Sequence, residues 1–389
     1  MTGGGSGGHI TPILAVAAEL KKLDPDTRIV YIGQAGESLL DIPSHDPNID
    51  EVFTVRAGKF RRYHGEGWRQ LFDFPTQYKN LRDTLFVLIG SWQSFRLLRR
   101  IKPEVIFTRG GFVSVPVAVG AIMNRVPYIT HDSDSVPSLA NRLIARWARL
   151  HAVALPKEVY PYPQAKTLTV GIPLEHKYQP VTPALQKQYR QELELPLDAQ
   201  VVLITGGGNG AAALNDVVLA NASSLLKSYP ALHLVHVAGR TLEDGVAKAY
   251  DGLLAAPERK RVTVLGFVTE FYRYSGAADV IVARAGATSL AGFAAQGKAC
   301  VIIPAGQLVG DHQTKNAQVL ANDGAIIMLT QEQAEQERRL AHVVAELLDN
   351  AVERRHLSEQ LSHFAHPDAA KRLAMVLLEQ VKTPSKNQK

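Results

Sequence analysis

The sequence predicts an α/β protein of two doubly wound halves, each a parallel sheet covered on both faces by helices. Three observations carry that prediction. Short β-branched runs alternate with longer amphipathic stretches along almost the whole chain. A glycine-rich turn opens each half, at Gly3–His9 and again at Gly206–Ala211. And 389 residues with 46% apolar content fill two cores of ordinary size better than one.

In the first half the glycine turn leads into a helical pattern over Pro12–Leu23 and a strand at Arg28–Ile32. Strand Val105–Thr108, helix Val115–Asn124, strand Tyr128–Thr130 and helix Ser138–Trp147 follow. The second half begins with strand Val201–Thr205, which runs straight into the second glycine turn and helix Leu214–Ser228. Strands Leu232–Ala238, Val262–Leu265, Val280–Ala283 and Ala299–Ile303 come next, with helices Ser289–Gln296 and Thr314–Asn322 among them. The strands are near-continuous apolar runs, as sheets buried on both faces require. Pro156–Pro180 is rich in Pro and Tyr and lacks periodicity, so the interdomain linker is expected there. The expected domains are residues 1–165, 166–365, and a C-terminal helix and tail at 366–389. A glycine-rich βα turn needs a strand in front of it, yet this one starts at Thr2. The first strand is therefore expected to be missing, with β-forming residues upstream of Met1 in the natural protein.

Composition excludes several classes. The single cysteine, Cys300, forms no internal disulfide and no multi-cysteine metal cluster, which makes a reducing compartment the default. No apolar run approaches the ~18–20 residues that span a bilayer. The closest, Thr84–Trp92, is interrupted by Gly90. The net charge of +6 is uneven, because residues 51–150 hold 16 Lys/Arg against 7 Asp/Glu. A basic segment in a nearly neutral chain suggests an anionic partner surface. Nucleic acid would require a recognisable module or a more basic domain, so no nucleic-acid partner is expected.

Each glycine turn can aim backbone N–H groups at an anion, with the positive end of a helix dipole behind them. Neither is a P-loop, because no Gly-Lys-Ser/Thr follows, and the first lacks the acidic residue of a dinucleotide fingerprint. A third turn, Arg284-Ala285-Gly286-Ala287-Thr288-Ser289, ends a buried strand. Helix capping accounts for Thr288 and Ser289. It does not account for Arg284 beside Gly286 at the carboxyl end of a strand, where open α/β sheets bind ligands.

The pieces Thr2-Gly3-Gly4-Gly5-Ser6-Gly7-Gly8-His9-Ile10-Thr11-Pro12, Thr108-Arg109-Gly110-Gly111-Phe112-Val113-Ser114-Val115-Pro116, Gly206-Gly207-Gly208-Asn209-Gly210-Ala211 with Leu214-Asn215, Arg284-Ala285-Gly286-Ala287-Thr288 and Asp311-His312-Gln313-Thr314-Lys315-Asn316 stand in one order across the chain. In order and spacing they resemble the MurG-type enzymes, the peptidoglycan UDP-N-acetylglucosamine transferases of glycosyltransferase family 28. The resemblance implies a GT-B fold, two Rossmann-like domains facing a central cleft. It also implies an inverting transfer of N-acetylglucosamine from UDP-N-acetylglucosamine to the C4 hydroxyl of undecaprenyl-diphosphate-MurNAc-pentapeptide.

By that resemblance the donor is held by Gly207, Gly208, Asn209, Phe267, Val268, Arg284, Gly286, Ala287, Thr288, His312 and Gln313, with Phe267 and Val268 at the uracil. The acceptor side comprises Gly4, Gly5, Ser6, Gly7, Gly8, Gly110, Gly111, Phe112, His131, Asp132 and Asn141. His9, at the end of the first glycine turn, is the candidate catalytic group; an unperturbed imidazole suits either a base or a hydrogen-bond donor, so its role stays open. His131-Asp132-Ser133-Asp134 reads superficially as a D-x-D metal motif, but it stands where the family usually has His-Glu-Gln-Asn and is read as acceptor-side lining. No protein metal site and no tightly bound cofactor are expected, though the resemblance allows a divalent ion accompanying the donor.

The chain departs from the family in four places. A Glu that grips the ribose hydroxyls is replaced by Gly292, and an Arg near the donor phosphates by Glu175. The Ser of the second glycine turn is Gly208, and the loop aromatic, often Tyr, is Phe112. A lost charged hydrogen bond costs roughly 1.5–3 kcal/mol. A weakly active or non-catalytic binder, a glycolipid galactosyltransferase and a sugar-nucleotide 2-epimerase are the alternatives. The basic segment interleaves cations and rings at Lys59, Arg61, Arg62, Trp68, Phe72 and Trp92. Such a surface suits an anionic leaflet, which places the protein in the cytoplasm, peripheral on the inner face of the cell membrane.

Overall fold

Strands that are apolar on both faces demand cover on both sides, and the chain meets that demand in two separate units. Met1–Glu175 together with His366–Lys389 form one, and His176–Ala365 the other. The computed structural model describes residues 1–4, 7–37, 39–59, 74–208, 210–306 and 311–382.

The first unit runs α1 (Gly7–Leu23), β1 (Val30–Gln34), α2 (Asp41–Ser44), β2 (Glu51–Val55), α3 (Phe74–Ile101), β3 (Ile106–Thr108), α4 (Ser114–Met123), β4 (Tyr128–Asp132), α5 (Leu139–Ile144), β5 (Leu150–Val153) and β6 (Thr167–Thr169). β1 pairs with β2, and β3 to β6 pair in sequence order, all parallel. Thr2 joins these two parts by parallel bridges to Ile32 and Thr108. The Thr2 N–H donates to the Phe107 carbonyl at 2.9 Å, and the Met1 carbonyl accepts from Ile32 at 2.9 Å. Met1 and Thr2 thus lie between β1 and β3, where the first strand was expected. Alternate strand residues feed two cores. Tyr31, Phe107, Ile129 and Ala152 meet α1 on one face, while Ile32, Ile106 and Tyr128 meet Leu98 of α3 and Val117 of α4 on the other.

In the second unit α6 (Pro183–Glu192) precedes β7 (Gln200–Thr205), α7 (Ala212–Ser228), β8 (Leu232–Val237), α8 (Glu243–Leu253), α9 (Ala256–Arg259), β9 (Val262–Leu265), α10 (Phe271–Ala277), β10 (Val280–Ala283), α11 (Ala287–Gln296), β11 (Ala299–Ile302), α12 (His312–Asn322), β12 (Ile327–Met328), α13 (Gln331–Glu335), α14 (Arg339–Asp349) and α15 (Ala351–Ser362). The sheet order is β12-β11-β10-β7-β8-β9, all parallel. Val202, Ile204, Val280 and Val282 face one core and Val201, Leu203, Ile281 and Cys300 the other. Cys300 is fully buried, and burial pushes its thiol pKa upward.

Two expected boundaries move. The division falls after Glu175 rather than 165, because β6 lies within the stretch read as linker and extends the first sheet beside β5. Residues 366–389 are no separate appendage, since α16 (Ala369–Lys382) returns to the first unit. Leu373, Ala374 and Leu377 pack there with Ile13, Val16, Ala17 and Leu20 of α1. Among the described residues no helix is long and apolar enough to cross a membrane.

At the carboxyl end of β8, His236 is fully buried. Its Nε2 contacts Asn215 Oδ1 at 3.0 Å and its Nδ1 the Tyr250 hydroxyl at 2.9 Å, which defines a neutral Nε2–H tautomer. Asn215 in turn donates to the Ala238 carbonyl at 3.1 Å, tying α7 to the loop after β8. Burial pushes the His236 pKa down to about 4. An unfolded histidine titrates near ~6.5, so between these values the unfolded chain binds more protons. The stability supplied by this group is complete above about pH 6.5 and drains as pH falls towards 4, by about 3 kcal/mol in all. Urea unfolding of wild type and His236→Gln at pH 7 and pH 4 should show their stabilities converging by that order, and parallel pH curves would refute it.

Candidate functional site

Every strand of a parallel sheet ends at the same edge, so the turns after the strands gather there. In the second unit, the turn after β7 is shaped by Gly207 (φ +86°) and Gly210 (φ +73°). A Cβ on Gly210 would lie 2.3 Å from the Ala238 carbonyl oxygen, so only glycine lets this turn pass the loop after β8. Asn209 lies outside the described residues. α7 opens at Ala211 with no side-chain cap. α11 opens at Gly286, again with no side-chain cap. The sequence had read Thr288 and Ser289 as caps; the capping position is Gly286, which has no side chain to offer. The N–H groups of a first turn have no intrahelical partner, so an uncapped start on a ten-residue helix presents donors to an anion.

Arg284 is turned inward. Its Nη1 donates to the carbonyls of Ile303 (2.9 Å) and Pro304 (3.1 Å) and to Gln331 Oε1 (2.9 Å). Through Nη1 it braces the ends of β10 and β11 against α13. Gln313 Oε1 accepts from the Ala305 N–H at 3.0 Å, which leaves Nε2 as its donor end. His312 begins α12. Val268 packs on the core, while Phe267 is 39% exposed. The Arg240 guanidinium lies 4.1 Å from the centre of the Phe267 ring, and Arg240 was not among the residues expected from sequence.

In the first unit the two glycine turns touch backbone to backbone. Gly110 and Gly111 both have φ +83°, and a Cβ on Gly111 would lie 2.6 Å from the Gly4 carbonyl oxygen. Thr108 Oγ1 donates to Ser114 Oγ (2.6 Å) and Ser114 Oγ to the Gly110 carbonyl (2.5 Å), which staples the second turn. Lys59 Nζ sits 5.7 Å from the centre of the Phe112 ring. Gly7 and Gly8 form the first residues of α1; Gly5 and Ser6 lie outside the described residues.

His9 Nδ1 lies 2.8 Å from the Gly4 carbonyl oxygen. A carbonyl only accepts, so Nδ1 carries the proton and Nε2 is the lone-pair nitrogen. Burial, and then the nearby Arg109 charge, lower the His9 pKa, while the Gly4 hydrogen bond and Asp134 oppose them. His9 is a neutral imidazole at neutral pH.

His131, Asp132 and Asn141 were expected to line the acceptor site. They are all but fully buried and hold the turns from beneath. Asp132 accepts from Asn141 Nδ2 (2.9 Å), the Ser138 N–H (3.3 Å) and the Tyr162 hydroxyl (2.8 Å). Its carboxylate is thus committed to the protein. Among the described residues no group of three or more His, Cys, Asp or Glu is placed to hold a metal ion. Of the expected membrane-facing residues, Arg61, Arg62, Trp68 and Phe72 lie outside the described residues. Trp92 is 56% exposed on α3, next to Phe95 at 5.4 Å between ring centres.

The glycosyltransferase family 28 N-terminal domain matches residues 1–153, and the C-terminal domain of the same family matches residues 201–373. The chain belongs to glycosyltransferase family 28. A Bacteroides fragilis relative is 29% identical over 371 residues, 95% of this chain and 92% of its own length. It is named UDP-N-acetylglucosamine–N-acetylmuramyl-(pentapeptide) pyrophosphoryl-undecaprenol N-acetylglucosamine transferase. A Bacillus cereus relative, named as transferase 1 of the same kind, is 29% identical over 98% of this chain and 99% of its own length. Among solved structures, Acinetobacter baumannii MurG superposes with a TM-score of 0.69 at 23% identity, over 97% of this chain and 98% of its own. UDP-GlcNAc 2-epimerase from Neisseria meningitidis, bound to UDP-GlcNAc, superposes with a TM-score of 0.64 at 14% identity, over 97% and 99%. These likenesses establish the two-domain fold with parallel sheets that family 28 shares with other sugar-nucleotide proteins.

One departure from the family 28 pattern has a steric cause. Gly292 is buried in α11, and a Cβ there would lie 2.9 Å from Tyr178 Cε1. Tyr178 is itself held edge-on by Tyr272 at 6.1 Å between ring centres. A glutamate therefore cannot be restored at 292 alone. Gly292→Glu should lower stability by about 1–3 kcal/mol, the usual cost of overpacking. Adding Tyr178→Ala should recover much of that loss, and thermal unfolding of wild type and the two variants that ranked the single Gly292→Glu as stable as wild type would contradict the placement.

Proposed function

We propose that this protein transfers N-acetylglucosamine from UDP-N-acetylglucosamine to the C4 hydroxyl of undecaprenyl-diphosphate-MurNAc-pentapeptide, with inversion at the anomeric carbon. The observation that carries the reading is the uncapped start of α11 behind Gly286, at the carboxyl end of β10. A donor diphosphate there would accept from the N–H groups of Ala287 and Thr288, with uracil at Phe267 and Val268 and the sugar hydroxyls at Gln313. The names of the full-length relatives support the same substrates. The glycine turns at Gly3–Gly8 and Gly110–Gly111 are the acceptor diphosphate site on this reading.

The acceptor hydroxyl oxygen forms a bond to the anomeric carbon as the bond to the UDP oxygen breaks. Its proton passes to His9 Nε2, and the negative charge grows on the departing diphosphate, where helix-start amides stabilise it. Because the His9 pKa lies below its ordinary value, the base form is already complete at pH 7. Protonation removes it only under acid conditions, so kcat/KM should be flat near neutrality and fall on an acid limb below about pH 6.5. Labelled UDP-N-acetylglucosamine and a short-chain muramoyl-pentapeptide lipid should give disaccharide product with that profile, and His9→Asn should lose about 10²–10⁴-fold in rate. The departures at Gly292 and Glu175 favour a second reading, a UDP-sugar binder without turnover. UDP binding with no product from wild type would select it.

The lipid acceptor requires a membrane surface, and α3 supports one. Tyr78, Leu81, Leu85, Leu88 and Trp92 recur at three- and four-residue steps and are 53–70% exposed, with Ile89 beside them at 40%. Arg96, Arg99 and Arg100 are exposed towards the end of the same helix. An apolar stripe with adjoining cations suits an anionic inner leaflet, with the protein peripheral on it. Leu81→Glu/Leu88→Glu should weaken sedimentation with phosphatidylglycerol vesicles at least tenfold while UDP binding stays within twofold. Unchanged vesicle binding would exclude this face.

A further inference from the structure

Pro12 lies inside α1, and its position leaves a specific gap in the hydrogen-bond ladder. In an α-helix the carbonyl of residue 8 accepts from the N–H of residue 12, and proline has none. Arg109, the residue after β3, fills that role from outside the helix. Its Nη2 donates to the Gly8 carbonyl at 3.0 Å. Its Nη1 donates to His131 Nδ1, and His131 Nε2 lies 2.9 Å from the Gly171 carbonyl oxygen. Because arginine only donates and a carbonyl only accepts, the chain of roles is fixed: Arg109 N–H to Nδ1, then Nε2–H to Gly171. Burial and the neighbouring Arg109 charge keep His131 neutral, as that arrangement requires. Arg109 is 4% exposed, and its Nε has no partner. One guanidinium thus fastens the first turn of α1 to the ends of β4 and β6.

The geometry points to Arg109 as a positioning residue: it sets the shape of the first glycine turn for an incoming diphosphate by holding the Gly8 carbonyl that Pro12 leaves without a helical donor. This rests on the acceptor reading given above and deepens it. The side chain acts through the turn, since its Cβ packs 3.3 Å from the Cβ that Gly3 would carry, and Tyr31 holds the Gly3 carbonyl from below through its hydroxyl. It also governs the electrostatics around His9. The charges that act on that ring are Arg109, just after β3, and Asp134, from the loop after β4, while Glu37, from the loop after β1, lies against Gly4. Removing the arginine would therefore displace the turn and raise the His9 pKa together.

Three variants test this: Arg109→Met, Pro12→Ala and their combination. Arg109→Met should raise the acceptor KM at least tenfold, leave UDP affinity within twofold and move the acid limb of kcat/KM to higher pH. In the combination, the Pro12→Ala change returns a backbone N–H to the Gly8 carbonyl, so the melting temperature and the acceptor KM should both move back towards wild type while the acid limb stays shifted. An acceptor KM that stays at the Arg109→Met value although the melting temperature recovers would show that the Gly8 hydrogen bond does not set the turn, and would overturn the proposal. Amide hydrogen exchange gives a readout independent of turnover. Peptides covering residues 7–12 should exchange faster in Arg109→Met, even if wild type makes no product and the transferase reading fails. Unchanged exchange there would overturn the proposal whatever the enzyme does, and Arg109→Lys, which keeps one donor and the charge, replaces Arg109→Met if that variant fails to fold.

Discussion

A backbone N–H at the start of a helix must find an acceptor, and much of this protein's organisation follows from starts that no side chain serves. α7, α11 and α12 all open without a side-chain cap, and all three follow strands of one parallel sheet. Such a sheet places its helix starts along a single edge, so the first-turn amides of separate elements become neighbours. Two-sided burial of the strands makes that edge rigid, because residues on both faces are locked into cores. A family with this scaffold can therefore bind anionic donors with amides and keep its charged side chains for support. Arg284 does that, giving two hydrogen bonds to the carbonyls after β11 and one to Gln331 of α13.

Much of the architecture was legible because its signals are local. Runs such as Val201–Ile204 and Val280–Ala283 are apolar throughout, and the second glycine turn follows its strand immediately. The strands that escaped notice lack that contrast. β2 is half exposed along most of its length, β5 carries His151 in its centre, and β6 and β12 have three and two residues. α3 escaped for a different reason. Its exposed side is apolar and its last turns are basic, so the usual division between an oily inner stripe and a polar outer one is absent.

The functional residues divide in the same way. Glycines were readable because a positive φ or a close backbone approach leaves a mark in the sequence, as at Gly111 and Gly210. Side-chain direction left none. Arg284, His131, Asp132 and Asn141 stand in the right segments yet turn into the protein. Arg109 stands inside the Thr108–Pro116 segment, and nothing in that segment marks its reach to Gly8, a hundred residues earlier in the chain. Tyr178 could not be anticipated, because its contact with Gly292 joins segments more than a hundred residues apart.

The return of α16 to α1 makes the first unit discontinuous in the chain, with the second inserted whole between its parts. Synthesis from the amino end thus delivers the guest before its host can close. Ile13, Val16 and Leu20 keep an oily flank bare until Leu373 and Leu377 leave the ribosome. For most of translation the nascent chain carries a finished domain beside one still waiting for α16, a hazard that a chaperone would relieve.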